Sequence, residues 1–302
     1  MLDDQELDEA WRVLTMFAAG RFSYRLADFP ARVQQTYDRL GPSRRRSHAE
    51  LIDSIHALAA ETEAFDAVSI GSFTHERQNY PLVKLVSTPS ASAYAPNLPV
   101  CVVAGIHGDE TDSILGALEF ARHFARNADL RSTYALTVYP CLNPVGYERM
   151  TRENGNGLDL NREFFRASGE PEILLMERDL AAHRFLGMIA THSDYESFGI
   201  YAYAAGAILS ERLAKPALFQ ASSVIPINVD PVIDGHPAQH GIINEKYPGA
   251  LGPLTKGDVA PFDITVETPN LFALSKRAAA QAIACETILQ EYRAVMAEAM
   301  YL

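Results

Sequence analysis

The chain has 302 residues, 48% hydrophobic and 21% charged, which is enough to bury a sizeable core and is not the composition of a disordered chain. A formal net charge of −12 excludes the basic surface that nucleic-acid binding needs. No apolar run reaches the length of a membrane span, and the acidic start MLDDQELDEAW lacks the basic and apolar regions of a signal peptide. Cys101, Cys141 and Cys285 fit no metal or disulfide spacing, so buried thiols in a reducing, cytoplasmic compartment are expected.

Leu7, Trp11, Leu14 and Ala18 form a helical stripe near the start. A broken stretch follows, through Gly41-Pro42-Ser43 to Arg44-Arg45-Arg46, which reads as a solvated linker. Residues 1–46 are therefore expected to be a helical N-terminal extension, and residues 47–302 the main domain. Ser47 with Glu50 resembles a capping box opening a helix through Leu51, Ile55 and Leu58. Strand-like segments then alternate with helices: VSIGSF, PLVKLVS, PVCVVAG, YALTVYP, FLGMIAT and DITVET. A helix is expected from Asp112 to Asn127 on a stripe of Leu115, Leu118, Ala121 and Ala125. A long helix near the end carries Leu274, Ala278, Gln281, Cys285, Ile288, Tyr292 and Val295. Apolar strands alternating with helices predict a single α/β domain with a mixed, largely parallel central sheet flanked by helices.

Four stretches carry chemistry. In AGIHGDE, His107 and Glu110 follow an apolar strand and precede a helix, the place where open α/β sheets bind ligands. Their spacing lets an imidazole and a carboxylate reach one ion, a donor set that suits zinc. Capping of the next helix is the plainer alternative. Asp109 between them is a candidate supporting group. His192, ending FLGMIAT, supplies a third ligand. Glu267, inside the β-branched run DITVET, is costly to bury without a role, and a zinc hydrolase needs a carboxylate to move the proton of water. In NPVGYERMTRENGNGLDLNREFF, Arg149, Arg152 and Arg162 cluster in an otherwise acidic chain, and guanidinium groups suit carboxylates and oxyanions. Arg149 is expected in a surface salt bridge.

The ordered set HGDE, NPVGY, TRENGNGLDLNREF, THS and TVET resembles the zinc carboxypeptidase family of the pancreatic digestive enzymes, its smaller bacterial branch near the murein-peptide amidases above all. The resemblance runs from about Ser47 to the C-terminus. It implies one Zn2+ ion held by His107, Glu110 and His192, with Glu267 as general base and then general acid. It implies that Arg152 polarises the scissile carbonyl, and that Asn161 and Arg162 grip a substrate carboxylate. The family's mobile tyrosine falls on Tyr247, although INEKYPGAL is a poor local match. The stretch between Glu110 and His192 is shorter than in the digestive enzymes, so the loops around the funnel are expected to be trimmed. The residues that choose the side chain lie between His236 and Asp258, which do not align.

The implied activity is a metallocarboxypeptidase acting on a peptide or acyl-amino-acid substrate with a free carboxylate, without nucleic-acid or membrane partners. An N-acyl amino acid deacylase of the succinylglutamate desuccinylase or aspartoacylase kind also has an H-G-x-E start and a DLNR-like segment. NPVGY and TRENGNG favour the peptidase. A zinc-binding module without catalysis is a third reading, opposed by the presence of Glu267 and Arg152. The oligomeric state is left open.

Overall fold

A computed structural model describes residues 46–88, 97–245, 250–254 and 260–299. The expected helical extension, apart from Arg46, lies outside them, and so does Tyr247. In chain order the elements are α1 (His48–Thr62), β1 (Phe65–His75), β2 (Gln78–Ser87), β3 (Leu98–Val103), α2 (Thr111–Arg126), α3 (Ala128–Thr133) and β4 (Tyr134–Tyr139). There follow α4 (Pro144–Arg149), a 3₁₀ turn (Leu160–Arg162), α5 (Pro171–Ala182), β5 (Gly187–Asp194) and β6 (Tyr201–Ala204). A helical stretch comes next, built from α6 (Ala207–Leu209), a π-helical turn (Ser210–Ala214) and α7 (Lys215–Ala221). The short strands β7 (Val232–Ile233), β8 (His236–Gln239) and β9 (Ile242–Ile243) precede β10 (Phe262–Pro269) and α8 (Leu274–Ala299).

The strands form one ten-stranded sheet in the order β1-β2-β4-β3-β5-β10-β6-β9-β8-β7. Its centre, β4-β3-β5-β10, is parallel. Towards both edges it turns antiparallel, at β1-β2-β4 on one side and at β10-β6 and β9-β8-β7 on the other. Successive residues of β3 feed opposite faces: Val100 and Val102 join a core with Ile114, Phe124 and Ile288, while Cys101 and Val103 join one with Leu160, Ile173 and Met176. A strand buried on both sides must be apolar throughout, which is why PVCVV shows no alternation. All three cysteines are buried and free.

The six expected strands and both long helices are present. Ser47 caps α1, its hydroxyl accepting the Glu50 amide at 3.3 Å, and Leu51, Ile55 and Leu58 are buried as expected. On α2, however, Leu115 is exposed, and the buried face runs through Ile114, Ala117, Ala121 and Phe124. That face is set by close packing on α8, where a side chain on Gly116 would meet Gln281 and the Ala278 carbonyl. Leu274 at the start of α8 is also exposed. Arg46 is not part of a solvated linker. Its guanidinium lies over the Tyr147 ring and donates to the Gly108 carbonyl at 3.3 Å. Strands β6 to β9 were not expected, because segments of two to four residues carry no usable period. Among the described residues no helix is long and apolar enough to cross a membrane.

Candidate active site

The loop after β3 is held in shape by its glycines and by Ser113. Gly105 has φ of +61°, and a Cβ there would lie 2.9 Å from the Cys141 Cα, so no other residue fits without strain. Gly108 is packed as tightly on Gly146. Ser113 closes the loop from α2, its hydroxyl accepting the Gly105 amide at 3.0 Å and donating to the Glu110 carbonyl at 2.7 Å. Behind the loop, Asn143 caps α4 by accepting the Gly146 amide at 2.9 Å, and donates to the Arg152 carbonyl at 3.2 Å. The NPVGY turn thus buttresses both the His107 loop and the Arg152 segment.

His107, Glu110 and His192 converge. Glu110 Oε1 lies 2.6 Å from His107 Nδ1, its Oε2 lies 2.9 Å from His192 Nδ1, and the two Nδ1 atoms are 3.2 Å apart. All three residues are buried, and their ligand atoms fall within 4.8 Å of one another. Two nitrogens bound tetrahedrally to zinc at about 2.0–2.1 Å stand roughly 3.3 Å apart, so the spacing suits that ion. Two imidazoles and a carboxylate with further positions open is also the donor set of catalytic zinc. Parallel pairing of β5 and β10 sets Glu267 directly beside His192.

The electrostatics follow from crowding in a dry corner. Burial opposes charge on Glu110, but the two imidazoles outweigh it and hold the carboxyl well below the usual range. Burial likewise opposes charge on His107, yet Glu110 and Asp159 raise it to about 9. For His192 burial wins and the shift is downward. Glu267 is pushed well above the ordinary carboxyl range by burial, reinforced by Glu110, Asp194 and Asp234.

Asp159 carries a role that sequence reasoning missed. Its Oδ1 accepts from His107 Nε2 at 3.0 Å and from the Asn161 amide at 2.9 Å. Its Oδ2 accepts Arg152 Nε at 3.2 Å and Nη2 at 3.0 Å. One carboxylate therefore fixes the ring of a candidate ligand histidine and aims the arginine, whose Nη1 lies 3.2 Å from His107 Nδ1. The signal was available as the first letter of DLNR. Asp109 turns elsewhere, accepting the Tyr195 hydroxyl at 3.0 Å. Arg149 pairs with Glu76 at 2.8 Å, outside the site.

His107, Glu110, Arg152, Asn161, Arg162, His192 and Glu267 all line one cavity of about 590 Å³. Asn161 Oδ1 accepts the Leu251 amide at 2.9 Å, which ties the 3₁₀ turn to the segment closing the far wall. The lining also includes Asp194, Tyr201, Tyr203, Asp234, Glu245 and Asp263, of which only Glu245 falls in the stretch from His236 to Asp258 expected to choose the side chain.

Residues 52–186 match the zinc carboxypeptidase family. The matched stretch contains His107, Glu110, Arg152, Asn161 and Arg162 and ends before His192 and Glu267, so those two rest on the geometry above. No curated protein matches the chain. Among solved structures, a candidate metallopeptidase from Shewanella amazonensis superposes with a TM-score of 0.64 at 24% identity, over 80% of this chain and 91% of that one. A metallo-carboxypeptidase from Burkholderia cenocepacia gives 0.59 at 16% identity, covering 80% and 69% respectively. One from Pseudomonas aeruginosa, in complex with (2-guanidinoethylmercapto)succinic acid, gives 0.54 at 18%, covering 81% and 68%. Identities this low speak to the fold, and the fold is shared. The chain is thus similar to the zinc carboxypeptidases over residues 52–186 and shares its fold with the solved metallo-carboxypeptidases.

Proposed function

We propose that this protein is a zinc-dependent peptidase of the carboxypeptidase type that hydrolyses an amide bond adjacent to a substrate carboxylate. The observation that carries the reading is the meeting of two histidines, four charged side chains and Asn161 around one cavity, although they come from four separate stretches of chain. Held by His107, Glu110 and His192, a zinc ion would supply Lewis acidity toward the scissile carbonyl and the attacking water. Glu267, beside His192, takes the proton of that water and passes it to the departing amine. Arg152, steered by Asp159, offers N–H donors to the carbonyl oxygen as negative charge develops there. Asn161 and Arg162 hold the substrate carboxylate, fixing the neighbouring amide over the site.

The family match and the neighbours support a peptidase over an N-acyl amino acid deacylase. Three buried, free thiols support a reducing, cytoplasmic setting. Glu267→Gln is the direct test. The variant is expected to keep its zinc and lose at least about 10²-fold in turnover. Near-normal turnover would remove Glu267 from the chemistry. Comparison of a C-terminal peptide, a murein tripeptide and acyl-amino acids on the wild type decides the substrate, and activity on the last alone would favour the deacylase.

A further inference from the structure

Beside the metal-ligand corner lies a polar knot that the proposed chemistry does not use; of its members Ser193 also lines the cavity. Asp112, in the first turn of α2, is fully buried. Its Oδ1 accepts the Ser193 hydroxyl at 2.6 Å and Arg277 Nη1 at 2.9 Å. Its Oδ2 accepts the Thr268 hydroxyl at 2.7 Å and Gln281 Nε2 at 3.4 Å. Gln281 also donates to the His192 carbonyl at 2.8 Å and to Thr268 Oγ1 at 2.8 Å. Arg277 and Gln281 both come from α8.

The placement of these partners is informative. Asp112 is two residues after Glu110, while Ser193 and Thr268 directly follow His192 and Glu267. One carboxylate thus joins the helix that follows the first ligand pair, the strand of the third ligand and the strand of the proton-transfer glutamate. A buried charge is costly unless it is paired and fully hydrogen-bonded, and a plain hydrophobic staple would hold α2 to the sheet more cheaply. What an apolar contact lacks is direction, since hydrogen bonds fix angles as well as distances.

We propose that Asp112, braced by Arg277 and Gln281, is a positioning residue that holds His192 and Glu267 in place relative to Glu110. This rests on the peptidase reading above. Every neighbour of the Asp112 carboxylate donates to it; Arg277 has no acceptor to offer, and a Gln281 amide turned to accept would give up its bond to the His192 carbonyl. An asparagine at this position therefore either turns its amide N–H₂ against Arg277 or forces Gln281 to release the His192 carbonyl, with almost no change in volume.

The test is Asp112→Asn in the full chain, with three readouts: zinc affinity by competition with a chelator, the visible spectrum of the cobalt(II)-substituted protein, and kcat and KM separately. Partners that orient metal ligands are worth about 10–100-fold in affinity or activity. The variant is expected to bind zinc at least about 10-fold more weakly, to shift the cobalt(II) bands and to lose kcat by a similar factor. KM is expected to stay within about twofold, because Asn161 and Arg162 are not part of the knot. A folded variant with wild-type zinc affinity, spectrum and kcat would overturn the proposal, as would a loss carried by KM alone. Should Asp112→Asn fail to fold, Thr268→Val removes one donor while keeping the volume. Weaker zinc binding in that variant supports the proposal, and unchanged binding overturns it. The wild type run alongside reports on the peptidase reading itself: absence of zinc binding there removes both, whereas a metallated, active wild type with an indifferent Asp112→Asn removes the positioning role alone.

Discussion

Glu172, in the first turn of α5, is 1% exposed, and its Oε2 has no hydrogen-bond partner among the described residues. Burial, reinforced by Glu170, raises its carboxyl from an ordinary 4.5 to about 7. In the unfolded chain the proton leaves near 4.5, whereas the folded protein keeps it until about 7. The unfolded state therefore binds fewer protons across that window, and stability falls as the pH rises through it. The full gap is worth about 3 kcal/mol, present above pH ~7 and shrinking to about 1 kcal/mol or less at pH ~5. Glu172→Gln imitates the protonated acid at every pH. Urea denaturation at both pH values should find the variant more stable by up to about 3 kcal/mol in the alkaline arm and nearly equal to wild type in the acid arm. Equal differences in both arms, or a variant less stable at pH ~8, would refute the argument. The site is involved too: Glu172 neighbours Asn154, whose Oδ1 accepts the Asn156 and Leu158 amides and so holds the loop that follows Arg152.

Asp159→Ala is expected to weaken zinc binding by about 10–100-fold, since His107 and Arg152 both lose their orienting partner. Chelator competition measures this, and unchanged affinity would mean that the His107 ring is held by other contacts. Lys84→Met leaves Asp179, partly buried beside Tyr139, with its cation gone, after bonds of 2.7 and 2.9 Å to the ammonium. A cost of roughly 3 kcal/mol in chemical denaturation is expected, much of it recovered when Asp179→Leu is added. A loss below about 1 kcal/mol would show that water reaches the carboxylate.

What the sequence determined by itself is what local periodicity and short spacing can carry. Two-faced burial demands continuous apolar runs, so PVCVV and GMIAT announced central strands, and Ser47 announced the start of α1. His107 and Glu110 are three residues apart, so their meeting is nearly a local property. The tertiary structure decided everything that depends on long-range register. His192 joins Glu110 from 82 residues away, and Asp159 reaches His107 across 52. Order along the chain, together with family resemblance, pointed to His192, and DLNR held Asp159 in plain view without saying which group it would orient. The face of α2 could not be read either, because Leu115 and Ile114 are equally apolar and only packing at Gly116 selects between them. Asp112 looked like an ordinary first-turn acid. Its four donors arrive from β5, β10 and α8, up to 169 residues distant, and no spacing in the sequence encodes that encounter.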